Sequence, residues 1–231
     1  KHFTHHLNEP LAMTNNKAAG GSLPNVSPEE LEKVDYSQSS GLINRLVKLS
    51  CSVAISSYQS GFLYHLGCDP KGGLHLHRAA MTKPMGLSYD GEGGLTLAGG
   101  SEIIQFKNVL ASGEHINNTF DACFMPRRIH MTGGLDAHDI GIKGNGVPIF
   151  VNTRFNCLAT VSDQHSFQEV WRPSFIDTLV DEDRCHLNGM AMRDGAPTYV
   201  TAVSRSNTID GWRDRRDGGG VVIDVTRNAV V

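Results

Sequence analysis

The stretch DIGIKGNGVPIFVNTRFNCLATV, residues 139–161, contains three short apolar runs that alternate with turns. The first run, residues 139–142, leads through a Lys-Gly-Asn-Gly turn to residues 149–151, and residues 157–161 follow. Runs of this length, bounded by Gly, Asn and Asp, are typical of strands joined by short turns. The stretch therefore predicts three neighbouring strands of an all-β domain.

The same order of runs and turns occurs on both sides of this stretch. The flanking runs lie at residues 86–89, 95–97 and 103–106 on one side and at 189–192, 199–201 and 221–225 on the other. The three units begin at residues 86, 139 and 189, so they are offset by 53 and 50 residues, and runs at 53–57 and 62–66 form an earlier partial unit. Such a period, with several strands in each unit, is typical of β-propeller blades. We predict a propeller-like fold of about four blade-like repeats of 40–53 residues.

The predicted ring has fewer blades than most propellers. A propeller closes its ring so that no sheet edge is exposed, and this chain stops at Val231, just after a predicted strand. We therefore expect an incomplete ring, which either belongs to a longer protein or is completed by another copy of the chain in a homo-oligomer.

The N-terminal part differs in composition from the rest. Residues 1–50 are predicted to form an arm with short helices, and residues 51–231 the propeller-like domain. Residues 1–40 are rich in Asn, Ser, Gly and Pro, which is typical of an extended or partly disordered segment. Within them, SPEE at residues 27–30 predicts the start of a short helix. GLINRLVKLS at residues 41–50 has leucines at helical spacing and predicts an amphipathic helix.

Charge and composition exclude several classes of protein. The net charge of −3 and the pI near 6.4 leave no broad basic surface for nucleic acid. No apolar stretch approaches the roughly 20 residues that a membrane-spanning helix needs. The five cysteines form no C-x-x-C pair, which disfavours a disulfide scaffold and a zinc ribbon. We expect a soluble, cytoplasmic protein with reduced thiols.

Alignment of the repeats places polar side chains at matched positions before the first strand of successive blades. His138 matches Asn188, and Asp136 matches His186, whereas the preceding unit has Met85 at the position of His138. The loop that leads into the innermost strand of a blade lies at one mouth of the propeller channel, where ligands usually bind. We therefore expect the four polar side chains to converge at that mouth.

These four side chains have the chemistry of a metal site. Two imidazoles, one carboxylate and one amide oxygen suit a divalent cation of intermediate softness. The metal ligands are thus predicted to be His138, His186, Asp136 and Asn188, around a cation that would polarise a carbonyl or activate a water. The alternative is that both histidines form hydrogen bonds between blades, and the two hypotheses stay open.

Other side chains of the same region are candidates for substrate binding and proton transfer. Arg154 and Asn152, in VNTRFN, are predicted to hold a small polar or anionic substrate. His130 or Asp139 is predicted to transfer protons. The alternative for Arg154 is an ion pair at the surface or between blades, and Trp212 either rims a pocket or holds blades together.

These candidates favour a small-molecule-binding propeller. In one hypothesis a divalent metal at the channel mouth assists a hydrolase or lyase reaction, although the sequence leaves open whether the protein is an enzyme. In the alternative, a non-catalytic or structural propeller presents the same face to a peptide, glycan or protein partner.

Two motifs, VNTRFNCLATV at residues 151–161 and EDRCHLNGMAM at 182–192, are distinctive. With several shorter segments they resemble an uncharacterised, mainly bacterial, propeller-like family known as a domain of unknown function, over about residues 50–227. The resemblance implies that family members continue into further repeats with another His-containing motif, and it implies no established activity. It places the recurring His and Arg motifs of the family on His130, His138, Arg154 and His186.

Overall fold

The computed structural model describes residues 37–69 and 71–231. The chain divides into two units, Lys1–Ser40 and Gly41–Val231, and all helices and strands given below belong to the second. The helix predicted to start at residues 27–30 lies outside the described residues.

The strands form four antiparallel sheets, arranged as a four-bladed β-propeller. This arrangement confirms the predicted fold class. Blades 1 and 2 contain β1 (Val53–Ser57), β2 (Phe62–Cys68) and β3 (Leu74–Ala80), then β4 (Leu87–Tyr89), β5 (Gly94–Ala98), β6 (Glu102–Asn108) and β7 (Phe124–Met131). Blades 3 and 4 contain β8 (Ala137–Ile142), β9 (Pro148–Asn152), β10 (Cys157–Thr160) and β11 (Gln168–Trp171), then β12 (Leu187–Arg193), β13 (Ala196–Ala202), β14 (Val221–Asp224) and β15 (Ala229–Val230).

The predicted runs coincide with the first two strands of blade 1 and with the first three strands of blades 2, 3 and 4, so β3 and the fourth strands are additional. In β7, FMPRRIHM, most side chains are exposed, and β15 has only two residues. An outer strand has no neighbouring blade pressed against most of its surface, so it lacks the apolar alternation that identifies a half-buried strand. For this reason the sequence pattern does not predict β7, β11 or β15.

A helix, α1 (Leu42–Leu49), precedes blade 1 and confirms the predicted amphipathic segment. Only Leu46 of this helix is buried, and Ser50 ends it in the left-handed conformation with φ 48°. The helix contacts β2, where Cys68 Sγ lies 3.8 Å from the carbonyl oxygen of Ile43. No helix of the described residues is long and apolar enough to cross a membrane.

Three clusters of buried apolar side chains fill the spaces between successive blades. The cluster between blades 1 and 2 contains Leu63, Leu95, Leu97, Ile104 and Phe106. The cluster between blades 2 and 3 contains Ala98, Ile103, Leu135, Ala137, Ile140, Phe150, Cys157 and Ala159. The cluster between blades 3 and 4 contains Ile149, Val151, Leu158, Ile176, Cys185, Leu187, Val200, Ala202 and Ile223.

The first strands of blades 2, 3 and 4 lie side by side. The Gly86 N–H donates to the Ala137 carbonyl oxygen at 3.2 Å, and a Cβ at Gly86 would lie 2.8 Å from the backbone of Asp139. Only glycine permits this approach of β4 to β8. The Met190 N–H then joins β12 to the Asp139 carboxylate at 2.7 Å. Because the three strands are neighbours, the loops that lead into them meet at one mouth of the channel.

Candidate functional site

A residue shortly before the first strand of a blade has a left-handed backbone in three successive blades. The φ angles are 45° at Lys83, 47° at Asp136 and 52° at His186. These positions are offset by 53 and 50 residues, as the sequence repeats are. Asp and His are enriched among the non-glycine residues that adopt this conformation. The backbone at the channel mouth is therefore repeated from blade to blade, while the side chain that it carries changes.

The loops at this mouth enclose a cleft of about 570 Å³. We call it the channel-mouth cleft, and it includes three of the four residues that repeat alignment brings together. It is lined by Ser56, Tyr58, Pro84, Met85, Asp136, His138, Asp183, His186, Trp212 and Arg213. Blades 1, 3 and 4 and the loop that leads into blade 2 thus surround one space of the size of a small-molecule site.

His186 is held on two sides. Its Nδ1 lies 2.6 Å from Asp183 Oδ2, and its ring stacks on the buried Trp212 ring with centroids 4.1 Å apart and planes inclined by 27°. A carboxylate acceptor at Nδ1 fixes the proton on that nitrogen, so that Nε2 of the neutral ring is the acceptor. The orientation and the tautomer of His186 are therefore set by Asp183 and Trp212.

His138 lies beside His186 and is kept uncharged. The two ring centroids are 4.9 Å apart, and the planes meet at 79°. Burial, followed by the nearby His186, lowers the pKa of His138 from 6.5, although Asp136 and Asp183 act in the opposite direction. At neutral pH the cleft therefore contains one neutral imidazole next to an imidazole that is paired with a carboxylate.

Two arginines lie over the ring of Trp212. The guanidinium carbons of Arg213 and Arg216 lie 4.5 and 4.7 Å from the centroid of its ring, within the distance of a cation–π interaction. Arg213 also donates from Nε to Asp210 at 2.8 Å. These residues belong to the loop between β13 and β14, which contains a 3₁₀ helix, Arg213–Arg215. The loop thus brings Trp212 and the guanidinium group of Arg213, which is paired with Asp210, to one side of the cleft.

Two predicted site residues on β8 and β12 do not line the cleft. Asn188 is exposed on β12 and is not among the described residues that line the cleft. Asp139 accepts from the Ile140 N–H at 2.8 Å through Oδ1 and from the Met190 N–H at 2.7 Å through Oδ2. Because both oxygens bind backbone donors, the geometry favours a structural role for Asp139, and its predicted role in proton transfer stays a prediction.

His130 lies on β7, at the outer edge of blade 2, opposite Ile103. Burial, followed by Arg128, lowers the pKa of His130. Its Nε2 is buried and has no hydrogen-bond partner among the described residues. His130 does not line the channel-mouth cleft, so the structure does not bring it together with His138 and His186.

Arg154 and Asn152 also lie outside the cleft lining. Arg154 donates from Nε and Nη2 to the two oxygens of Asp181, the first at 2.7 Å, and from Nη1 to the Gly134 carbonyl oxygen at 2.9 Å. Asn152 is fully buried at the end of β9, and its Oδ1 accepts from the Phe155 N–H at 3.2 Å. For Arg154 these contacts favour the alternative of an ion pair between connecting loops.

The donors in the cleft suit a metal ion only in part. Within residues 37–69 and 71–231, no group of three or more His, Cys, Asp or Glu side chains is arranged to hold one. The cleft offers the adjacent imidazoles of His138 and His186, and Asp183 is already bonded to the second. The divalent metal therefore stays a prediction.

Some cleft residues were not predicted from the sequence. Asp183 stands three positions before His186 in the DRCH motif, and this short spacing is the signal that could have pointed to a carboxylate–imidazole pair. Ser56 lies on β1, Tyr58 lies in the turn that follows β1, and Arg213 lies in a long loop of blade 4. They fall outside the phase of the repeat, so no pattern in the sequence brings them to the cleft.

The fold and the cleft together define a class, a β-propeller with a His- and Asp-lined cleft at its channel mouth. Residues 40–231 match the model of the family described as Domain of unknown function (DUF4915). The chain belongs to this family, which confirms the resemblance to a domain of unknown function. No curated protein matches the sequence of the chain.

Two solved structures are similar to the chain at low identity. A luciferin-regenerating enzyme is 15% identical with a TM-score of 0.39, over 70% of this chain and 50% of that one. A putative 6-phosphogluconolactonase from Bacteroides uniformis is 12% identical with a TM-score of 0.40, over 78% of this chain and 52% of that one. The chain spans about half the length of each. At these values the similarities say nothing about its activity.

Proposed function

We propose that the channel-mouth cleft binds a small polar molecule and that His186, paired with Asp183, transfers protons to and from it, as in a hydrolase or a lyase. One observation carries the proposal. Two imidazoles and two carboxylates from separate loops face one cleft, and one imidazole is oriented by both a carboxylate and a stacked indole.

The Asp183–His186 pair has the arrangement of an oriented general base. With the Nδ1 proton directed at Asp183, Nε2 of His186 is the nitrogen that accepts a proton from a bound molecule or from water. The carboxylate then stabilises the imidazolium, which returns the proton to a leaving group. Asp183 is thus proposed as a positioning residue and His186 as the group that moves the proton.

His138 has a complementary role in the proposal. Because burial and the neighbouring His186 lower the pKa of His138, the ring stays neutral at neutral pH. A neutral imidazole donates or accepts a hydrogen bond without repelling the imidazolium that forms on His186. His138 would therefore fix the polar group of the ligand next to Nε2 of His186.

A second candidate is a divalent metal held by His138 and His186. The observation that favours it is the short distance of 4.9 Å between the two ring centroids. Histidines that bind metals usually donate their other nitrogen to a carboxylate, as His186 does to Asp183. Further ligands would have to come from Asp136, from Asn188 or from the bound molecule, and the metal would supply Lewis-acid polarisation of that molecule.

The proton-transfer proposal is tested with p-nitrophenyl acetate, a small ester whose hydrolysis a general base accelerates. We expect His186→Ala to lower the rate about 100-fold and Asp183→Asn about 10-fold. His165→Ala is the matched control, because His165 is exposed in the loop between β10 and β11, away from the cleft. Equal rates for wild type, His186→Ala and His165→Ala would rule out proton transfer by His186 and would favour a non-catalytic binding face.

The metal candidate has its own test. Elemental analysis and zinc titration compare the wild type with the double variant His138→Ala/His186→Ala and with His165→Ala. Stoichiometric metal in the wild type and in the control, lost in the double variant, would support the metal site. A wild type that takes up no more zinc than the double variant would contradict it.

A further inference from the structure

A second pocket, of about 490 Å³, lies between the outer parts of blades 1 and 2. We call it the interblade pocket. Its lining comes from β2 and β3 of blade 1, from β6 and β7 of blade 2, and from the loop that joins β6 to β7. Its described lining has no residue in common with the channel-mouth cleft. What it binds is therefore independent of the function proposed above.

Strand alternation places three imidazoles on the pocket side of blade 1. In the pairing of β2 with β3, Leu63, His65 and Gly67 lie opposite Ala79, His77 and His75. All six residues line the pocket, because alternate residues of a strand point to the same face. The signal is readable in the sequence, where L-x-H-x-G in one strand is paired with H-x-H-x-A in the next.

The side of the pocket formed by blade 2 is aromatic. Phe106, Phe120 and Phe124 all line it. The His65 ring stacks on Phe124 with centroids 5.5 Å apart and planes inclined by 14°, and the His75 ring lies 4.8 Å from Phe120. The first pair is stacked and the second is tilted by 57°, and both arrangements are favourable for aromatic rings, so a further flat ring can pack against these side chains.

The pocket offers hydrogen bonding without positive charge. Burial, followed by His77, lowers the pKa of His65, so this ring is neutral at neutral pH. Its Nε2 is buried and has no hydrogen-bond partner among the described residues. The described lining contains no Lys or Arg, and the Asp69 carboxylate already accepts from the Lys71 and Gly73 N–H groups. An anion would therefore find no counter-charge there.

Such a space is unusual between two blades, because the other interfaces between successive blades are filled. Protein interiors contain few voids larger than a water molecule, and large apolar clusters fill the spaces between blades 2 and 3 and between blades 3 and 4. Between blades 1 and 2 the cluster fills the part next to the channel, and the pocket begins at two of its members, Leu63 and Phe106. The volume lies in the range of small-molecule sites.

We propose that the interblade pocket binds a small, uncharged aromatic molecule that carries one hydrogen-bonding group, such as a phenol. Its ring packs among Phe106, Phe120 and Phe124, and its polar group bonds to one of the imidazoles on blade 1. The probe that represents this class is 2-naphthol, and its charged counterpart is 2-naphthalenesulfonate.

The test compares adjacent alanines of β3. Ala79 lines the pocket, whereas Ala80 is exposed and, as the next residue, lies on the other face of the strand. We expect Ala79→Phe to fill the pocket and raise the Kd for 2-naphthol at least about 10-fold, while Ala80→Phe keeps the wild-type Kd. We also expect 2-naphthalenesulfonate to bind about 10-fold more weakly than 2-naphthol. Equal Kd values for the two variants would overturn the proposal.

A measurement on the wild type avoids dependence on any variant. In NMR spectra of the imidazole side chains, 2-naphthol should shift the signals of His65, His75 and His77 in a saturable manner and leave those of His138 and His186 unchanged. The absence of saturable shifts in the first three would overturn the proposal, as would shifts confined to the channel-mouth cleft. Neither result would affect the ester-hydrolysis test of His186.

Discussion

Blades 3 and 4 meet in a closed interface, whereas the interface of blades 1 and 2 is closed only next to the channel. Between blades 3 and 4, nine buried side chains form one cluster, and buried polar groups of one blade bond to the backbone of the next. Between blades 1 and 2, aromatic and imidazole rings face the interblade pocket. The same repeat thus produces a filled interface between one pair of blades and a cavity between another pair. The difference follows from which side chains point between the sheets.

The polar contacts of the closed interface centre on Asn156. This buried residue accepts from the N–H groups of Arg184 and Cys185, each at 2.9 Å, and donates to the Glu182 carbonyl oxygen at 2.6 Å. Its φ is 56°. One side chain therefore satisfies three backbone groups of the chain that leads into blade 4.

The largest effect is expected from Asn156→Ala. It leaves three backbone groups without their partner and places alanine in a left-handed conformation, so we expect the free energy of unfolding to fall by about 5 kcal/mol. Asn156→Gly removes the same bonds without the backbone strain and should cost about 1 kcal/mol less. Urea unfolding measures both. A loss of under about 1 kcal/mol in Asn156→Ala would mean that polar pairing does not hold blades 3 and 4 together.

The packing of the two interfaces can be compared by replacing one buried leucine in each. Leu158 is fully buried in the cluster of blades 3 and 4, whereas Leu63, 1% exposed, borders the interblade pocket. We expect Leu158→Ala to lower the free energy of unfolding by about 4 kcal/mol and Leu63→Ala to lower it by about 2 kcal/mol. A side chain next to a void contacts fewer atoms, so its removal loses fewer contacts. Urea unfolding of the two variants gives the difference. Equal costs would show that the interblade pocket does not loosen its surroundings.

The smallest effect is expected from pH. The pKa of His65 and that of His138 are lowered in the folded protein by burial, so the unfolded chain takes up protons first as the pH falls. The stability that these groups contribute is complete above their unfolded value of 6.5 and is lost as the pH falls from there through the folded values. The carboxyl groups with a lowered pKa, such as Asp69, titrate in a lower window, below 3.8.

This dependence is measured as the change in unfolding free energy between about pH 7.5 and about pH 5.5. His65→Gln should reduce the change, because it removes the titrating ring from the open interface, and His165→Gln, at an exposed position, should leave it unaltered. An unchanged pH dependence in His65→Gln would show that protonation of His65 does not contribute to the loss of stability at low pH.

The sequence predicts the strands whose side chains are buried, because burial imposes a regular pattern of apolar residues. It does not predict the exposed strands, which lack this pattern. β8, β9 and β10 coincide with apolar runs because their side chains are packed between blades. β7 has the sequence FMPRRIHM and is mostly exposed, so nothing in it distinguishes a strand from a polar loop. Outer strands are specified by backbone pairing with β6 or its equivalents, which leaves no mark on the side chains.

The candidate site shows the same division. The repeat phase predicted that Asp136, His138, His186 and Asn188 converge at the channel mouth, and the first three of them line the channel-mouth cleft. Trp212 reaches His186 from a loop that has no counterpart in the other units, so its distance of 4.1 Å follows from tertiary packing alone. The three histidines of the interblade pocket were readable by strand alternation but required the pairing of β2 with β3 to be known.

The left-handed position before the first strands of blades 2, 3 and 4 gives the channel mouth a repeated backbone. Lys83, Asp136 and His186 have φ angles within a few degrees of one another although their side chains differ. The backbone there does not depend on which of these side chains it carries, so chemistry can be exchanged at one blade without moving its neighbours. A variant such as Lys83→His would therefore place an imidazole on a backbone geometry that His186 already adopts.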